Sequence, residues 1–350
     1  MLTIFLGDSV LISFLQAWRT SLSAAALSSL LTASLVLAAV SPAHAFDIEA
    51  HRGGRALFPE NTLPSFAGAL SMGVDTLELD MGVTKDDVIV VSHERWLNPD
   101  LARDPQGHYV EPPGIPYGEL TLAQVKGYDV GQIRPGSAYG AAFPDQKAVP
   151  GTPIPTLAEV FALVRKSGNK TVRLNIETKV DPNHPENSPD PDHFVTLLLD
   201  LLQREKFADR VMVQSFDWRT LLLVQQRAPA IPTVYLTIQA GPAPTVTLDS
   251  ASPWTAGFDP RTHGGTVPAA IKAAGGAIWS PYYKDLSGET IAEAHHLGLA
   301  VVVWTVNKPD DMTRMIDLGV DGIISDRPDL LRAAAASGGF SLPTPTPVSP

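Results

Sequence analysis

Four short stretches place polar residues where apolar runs end. They are His51-Arg52-Gly53-Gly54, followed by Pro59-Glu60-Asn61-Thr62; Glu78-Leu79-Asp80; Ser92-His93-Glu94; and Glu177-Thr178-Lys179. Glu78 and Asp80 stand two apart in an apolar run. Side chains alternate along a strand, so both carboxylates point one way while Leu77, Leu79 and Met81 point the other. Two bare carboxylates so close repel each other and raise one pKa, a penalty that a divalent cation removes. Glu177 supplies a third oxygen from a later run. An all-oxygen, carboxylate-rich set suits Ca²⁺ or Mg²⁺ better than zinc. The alternative is a solvated edge strand or a carboxylate–arginine pair, and Glu-x-Asp alone does not decide between them. His51, His93 and Glu177 at matching strand ends tip the reading towards metal. Histidine titrates near neutrality, so His51 and His93 can serve as base and acid in one displacement. Arg52 offers a planar donor fork for a phosphate. Lys179 shares a strand face with Glu177 and either adds a point charge or pairs with a carboxylate. Six other histidines (His108, His184, His193, His263, His295 and His296) fall in loops or on helix surfaces and read as structural.

Nine apolar runs must position these groups, at 47–50, 76–83, 88–92, 172–177, 211–214, 233–236, 277–279, 300–305 and 322–324. Several are near-continuous Val, Ile and Leu, as suits parallel strands buried on both faces. Helical periods lie between most of them, for example at 61–72, 156–166, 193–205, 219–227, 288–297 and 309–318. Alternation of this kind predicts an α/β fold, either a closed barrel or an open doubly wound sheet. The strand count fits a (β/α)8 TIM barrel, and no Gly-x-Gly-x-x-Gly opens the first unit. All four polar stretches then sit at the C-terminal ends of strands, where such barrels carry their chemistry. The ninth run is explained by Lys85-Asp86-Asp87. Three residues are too few for a parallel crossover, so the second and third runs form an antiparallel hairpin. With Asp86-Asp87 as a two-residue turn, Lys85 faces Val88 and Asp80 pairs with His93. An insertion after the His93 strand, about 95–153, is rich in Pro and Gly, holds one short helix at 121–126, and is expected over the barrel mouth.

The chain has 350 residues, and its ends read differently from its middle. In 1–45, Arg19 is the only Lys or Arg, an apolar stretch spans 22–40, and Ala43-His44-Ala45 makes a small–x–small cleavage site. This predicts a signal peptide, cleavage before Phe46, and a periplasmic or secreted protein with no stable membrane insertion; the alternative is a retained anchor. Residues 46–336 form the barrel domain, and 337–350 a Pro-rich, disordered tail. The absence of cysteine excludes a disulfide framework and a thiolate metal site. A net charge of −11 without a basic run argues against nucleic acid. An acidic protein acting on a small anionic substrate needs local positive charge, as a metal would supply.

Taken in order, His51-Arg52-Gly53, Pro59-Glu60-Asn61-Thr62, Glu78-x-Asp80, Thr84-Lys85-Asp86 and Val90-Val91-Ser92-His93 resemble the glycerophosphodiester phosphodiesterases. The likeness continues through Pro155-Thr156-Leu157, Ile176-Glu177-Thr178-Lys179, Gln214-Ser215-Phe216, Trp304-Thr305-Val306-Asn307, 319–323 and Ser325-Asp326, covering about 46–332. The resemblance implies a (β/α)8 barrel related to the phosphatidylinositol-specific phospholipases C. It implies hydrolysis of deacylated phospholipid head groups to glycerol 3-phosphate and an alcohol such as choline, ethanolamine or glycerol. It implies His51 and His93 as the acid–base pair, Glu78, Asp80 and Glu177 as metal ligands, Arg52 and Lys179 as phosphate contacts, and Phe216 and Trp304 as pocket walls. The family usually has Asp after the second histidine, where this chain has Glu94; a longer arm could shift the imidazole. Two other readings stay open. A lysophospholipase D-like enzyme would need an apolar groove, which the 117–153 insertion could supply. A catalytically dead binding barrel would have lost a histidine or a metal carboxylate, and none is lost.

Overall fold

The computed structural model describes residues 46–350, so the expected signal segment lies outside the described residues. Nine strands form one sheet: β1 (Asp47–Ala50), β2 (Thr76–Val83), β3 (Ile89–Val91), β4 (Arg173–Thr178), β5 (Val211–Ser215), β6 (Thr233–Thr237), β7 (Ile278–Pro281), β8 (Ala300–Val303) and β9 (Gly322–Ser325). Their order is β1-β9-β8-β7-β6-β5-β4-β2-β3, and β1 also pairs with β2, closing eight parallel strands into a (β/α)8 barrel. β3 runs antiparallel beside β2, outside the closed ring.

Alternation along the strands sorts the side chains into two populations. Leu77, Leu79, Met81, Leu174, Ile176 and Val213 join Phe66, Leu70, Phe161 and Val164 of the helices Leu63–Met72 and Leu157–Lys166 in one apolar core. Each such side chain contributes about 1.5–3 kcal/mol by leaving water. The alternate positions Glu49, Glu78, Asp80, Asn175, Glu177 and Gln214 are also buried but polar. Register sets them level: Glu78 stands opposite Asn175, Asp80 opposite Glu177, and Glu177 opposite Gln214.

The β2–β3 hairpin differs from expectation by one residue. Met81 pairs with Val91 and Val83 with Ile89, so Asp80 faces Ser92 and not His93. The loop has three residues, closed by Asp87 N donating to Thr84 O at 3.0 Å with Asp87 in the left-handed region at φ 59°. A turn ending in a left-handed residue favours the longer loop, and Asp tolerates that conformation better than most residues. Had the ladder run on, the slip would have put His93 on the face of Leu79. It stops at Val91, and the chain bends back.

The insertion has its own small core, in which Leu97, Ala102, Tyr117, Leu120 and Val125 cluster on Val90 of β3. It holds the expected short helix, Leu122–Val125, and a second, Ala138–Ala142, that composition did not reveal. The Pro-rich segment lies against the body as a strap. Thr346 N donates to Leu70 O at 2.8 Å, Asn169 Nδ2 to Thr346 Oγ1 at 3.2 Å, and Arg332 to Pro343 O at 3.1 Å, while Val348 packs on the core. Proline cannot donate, but its carbonyl accepts, and its stiffness lowers the entropy lost on docking. Among the described residues, no helix is long and apolar enough to cross a membrane. Ending the chain after Phe340 is expected to lower stability by about 1–3 kcal/mol, the worth of two or three net hydrogen bonds. Urea unfolding reads this, and an unchanged midpoint would show that the strap contributes nothing.

Candidate active site

The first polar stretch turns sharply off β1. Arg52 sits in the left-handed region at φ 52°, a conformation that costs about 1–3 kcal/mol for a non-glycine residue. The turn lets Arg52 N donate to Glu78 Oε2 at 2.8 Å. Gly53 follows at φ 79°, and a Cβ there would lie 2.4 Å from Ser65 Oγ, so only glycine fits against the next helix. That helix begins with a capping box: Thr62 Oγ1 accepts from Ser65 N and Ser65 Oγ from Thr62 N, both at 3.2 Å. Capping fixes the residues just before it. Asn61 donates to Asp80 Oδ2 at 2.9 Å, and Glu60 Oε1 accepts from Arg52 at 2.8 Å.

The carboxylates meet as expected. One oxygen each from Glu78, Asp80 and Glu177 lie within 4.8 Å of one another, all three residues buried. Lys179 lines the cavity and pairs with two of them, its Nζ 3.1 Å from Asp80 Oδ1 and 2.9 Å from Glu177 Oε1. Arg52 Nε lies 3.5 Å from Asp80 Oδ2. Burial, with the neighbouring Asp80, pushes Glu78 well above the ordinary carboxylate range. Glu177 is pushed up to about 7 by burial, which outweighs the opposing Lys179. Burial acts on Asp80 too, but Lys179, His93 and Arg52 together hold it well below the usual range.

Both histidines reach the same cavity, each held by a carboxylate. His51 Nδ1 is 2.5 Å from Asp326 Oδ1, and His51 Nε2 lies 3.9 Å from Glu78 Oε2. Asp326 also accepts from Arg55 Nε and Asn307 Nδ2, each at 2.7 Å. Despite its burial, Asp326 stays below the ordinary range because His51 and Arg55 favour its charge. His93 Nδ1 is 2.9 Å from Glu94 Oε1, so the longer arm of Glu94 still reaches the ring. Burial lowers His51 to about 4, against the pull of Asp326. Burial, helped by Arg52 and Lys179, lowers His93 to about 4. Both rings are therefore neutral at pH 7.

A cavity of about 160 Å³ is lined by His51, Arg52, Glu78, His93, Glu177, Lys179, Phe216 and Trp304, among others. Phe216 meets Trp304 edge to face at 5.4 Å between ring centroids. Every sequence-predicted site residue is thus in this cavity or, for Asp80, in the carboxylate cluster at its floor. Several contributors, Arg55 among them, carried no role in the sequence reading. Asp326 directly follows β9 and Gln214 stands one residue before the end of β5, so the criterion that found the other groups also applies to them. Asn307 lies in the quoted Trp304–Asn307 stretch. Tyr139 gave no signal: it comes from the insertion, donates to Glu60 Oε2, and accepts from Arg55 at 3.4 Å.

The family model for the glycerophosphoryl diester phosphodiesterases matches residues 51–330. A glycerophosphodiester phosphodiesterase of Bacillus subtilis is 30% identical over 339 residues, covering 94% of this chain and 96% of that one. Another, from Caldanaerobacter subterraneus subsp. tengcongensis, is 29% identical over 294 residues, covering 83% of this chain and 98% of that one. The crystal structure of a candidate glycerophosphoryl diester phosphodiesterase from Silicibacter pomeroyi gives a TM-score of 0.76 at 35% identity, covering 85% of this chain and 95% of that one. The match runs the length of the barrel and through each polar strand end, and the chain belongs to the glycerophosphoryl diester phosphodiesterase family.

Proposed function

We propose that this protein is a metal-dependent phosphoric diester hydrolase that cleaves glycerophosphodiesters to glycerol 3-phosphate and an alcohol. Family membership supports the substrate class. The observation that carries the mechanism is that three clustered carboxylates and two carboxylate-held imidazoles line or floor one cavity. The donor set fits a hard divalent cation. It is all oxygen, it is buried, and its three carboxylates offer oxygens within 4.8 Å of one another. Bound between Glu78, Asp80 and Glu177, Ca²⁺ or Mg²⁺ would stabilise the charge that builds on the phosphoryl oxygens.

The chain's own groups divide the remaining work. Arg52, braced by Glu60, and Lys179 offer positive charge to the phosphate. His51 is the base. Its Nδ1–H donates to ionised Asp326, which leaves the Nε2 lone pair free and steadies the imidazolium that forms. The attacking hydroxyl gives its proton to His51 as its oxygen bonds to phosphorus; attack by water yields glycerol 3-phosphate directly, whereas attack by glycerol's own 2-hydroxyl yields a cyclic phosphate that water opens in a second displacement. The bond from phosphorus to the alcohol oxygen breaks, and His93 supplies that oxygen's proton. His93 is neutral in the free site, and the phosphate anion raises its pKa when substrate binds. Glu94 keeps its ring aligned.

Replacing either His51 or His93 by Ala is expected to lower kcat by roughly 10²–10⁴. A nitrophenyl ester, whose leaving oxygen needs little protonation, should rescue His93→Ala in part and leave His51→Ala slow. The opposite pattern would exchange the two roles, and full activity of both variants on glycerophosphocholine would remove the pair altogether. Export is proposed on sequence grounds, and the stacking of Phe46 on Phe340 at 4.9 Å suits a domain that starts there. Mass spectrometry of the exported protein should give Phe46 as its first residue; an intact N-terminus in the membrane fraction would contradict cleavage.

A further inference from the structure

Residues 137–147 of the insertion dock beside the catalytic cavity. Ser137 Oγ accepts from Gly140 N at 3.0 Å and caps the helix Ala138–Ala142. Five helical residues do not hold together alone, so docking fixes them. The docking contacts reach the loops that follow β1 and β9. Gln146 Nε2 donates to Arg55 O at 2.7 Å, Lys147 N to Leu57 O at 3.0 Å, and Arg327 Nη1 to Asp145 Oδ2 at 3.1 Å. The Phe143 ring centroid lies 4.8 Å from the Arg55 guanidinium and 5.1 Å from the Tyr139 ring.

The Tyr139 hydroxyl closes this seam. A hydroxyl donates and accepts at once. Here it donates to Glu60 Oε2 and accepts from Arg55 Nη1 at 3.4 Å. Each partner leads to a catalytic group. Glu60 Oε1 accepts from Arg52 at 2.8 Å. Arg55 Nε donates at 2.7 Å to Asp326 Oδ1, the oxygen that also meets His51 Nδ1. Neither Tyr139 nor Glu60 lines the catalytic cavity, so neither is placed to touch substrate there. Burial opposes the charge of Glu60, but Arg52, Arg55 and Tyr139 together hold it below the ordinary carboxylate range. Burial, with Glu60 beside it, raises Tyr139, which therefore keeps its proton and stays a donor. Without that donor, Glu60 Oε2 is left unpaired in a buried setting, and the carboxylate turns to find another partner. Arg52 then loses its brace.

We propose that Tyr139 is a positioning residue for the reaction, aiming Arg52 through Glu60 and His51 through Arg55 and Asp326. This role rests on the phosphodiesterase reading above. It is tested by steady-state kinetics on glycerophosphocholine with the Ca²⁺- or Mg²⁺-supplied protein and four variants: Tyr139→Phe, Glu60→Gln, the two combined, and Asp145→Asn. Tyr139→Phe keeps the ring against Phe143 and removes only the hydroxyl, and urea unfolding should show it folded. Its kcat should fall at least tenfold with KM changed less than threefold, because the charges that gather the substrate remain and only their aim is lost. The combined variant should lose at least fivefold less than the product of the two single losses, since residues that share one network do not act additively. Asp145→Asn loosens the same segment at an exposed pair and keeps the hydroxyl, so its kcat should stay within twofold of wild type. A smaller fall in Tyr139→Phe would overturn this role while leaving the phosphodiesterase reading intact. So would single losses that multiply, or an Asp145→Asn loss as large as that of Tyr139→Phe. Turnover of no glycerophosphodiester by the wild type would overturn the enzyme reading itself, and this role with it.

Discussion

Glu78, Asp80 and Glu177 bring three carboxylates into a space from which water is largely excluded, and the surrounding site is arranged around that charge. In such a setting like charges cannot all remain ionised without compensation. Lys179 and Arg52 supply some of it from within the chain. Their arrangement explains why Asp80, which both cations touch, is held below the usual carboxylate range while Glu78 is pushed above it. A divalent ion would complete the balance by favouring the ionised form of all three carboxylates.

The barrel bears that cost through a polar interior. Gln214 Nε2 donates to Glu78 Oε1 at 2.7 Å, and Asn175 Nδ2 bridges Gln214 Oε1 and Glu49 Oε2, both at 3.0 Å. Burial and the adjacent Asp47 raise Glu49 well above the ordinary range. A hydrogen-bonded row thus runs from the carboxylate cluster down to β1, fixing the orientation of Glu78 by partners on three other strands. The insertion braces the opposite side: Tyr139 and Arg52 share Glu60, and Arg55 links Tyr139 to Asp326. A segment 79 residues from Glu60 in sequence therefore helps aim both Arg52 and the carboxylate that holds His51.

The barrel was legible because its signals are local and repeated. Buried parallel strands read as short Val/Ile/Leu runs, and polar residues at their ends stand out against them. The same rule located His51, Glu78, Glu177 and Lys179. It passed over Gln214 and Asp326, which stand beside strand ends, because a single amide or acid carries no chemistry until its partner is known. The hairpin register failed for a different reason. Asp86-Asp87 and Lys85-Asp86-Asp87 are equally good loops in sequence, and the backbone conformation of Asp87 decides between them. Tyr139 and the docked C-terminal strap were illegible because their partners lie 79 and up to 276 residues away, and no periodic pattern marks either contact.

Calorimetric titration of Ca²⁺ and of Mg²⁺ into chelator-stripped protein tests the cation's place among Glu78, Asp80 and Glu177 directly. One ion should bind per chain, turnover of glycerophosphocholine should rise in step with occupancy, and Asp80→Asn should lose both. Full turnover in excess chelator, with no metal found by elemental analysis, would contradict the central claim.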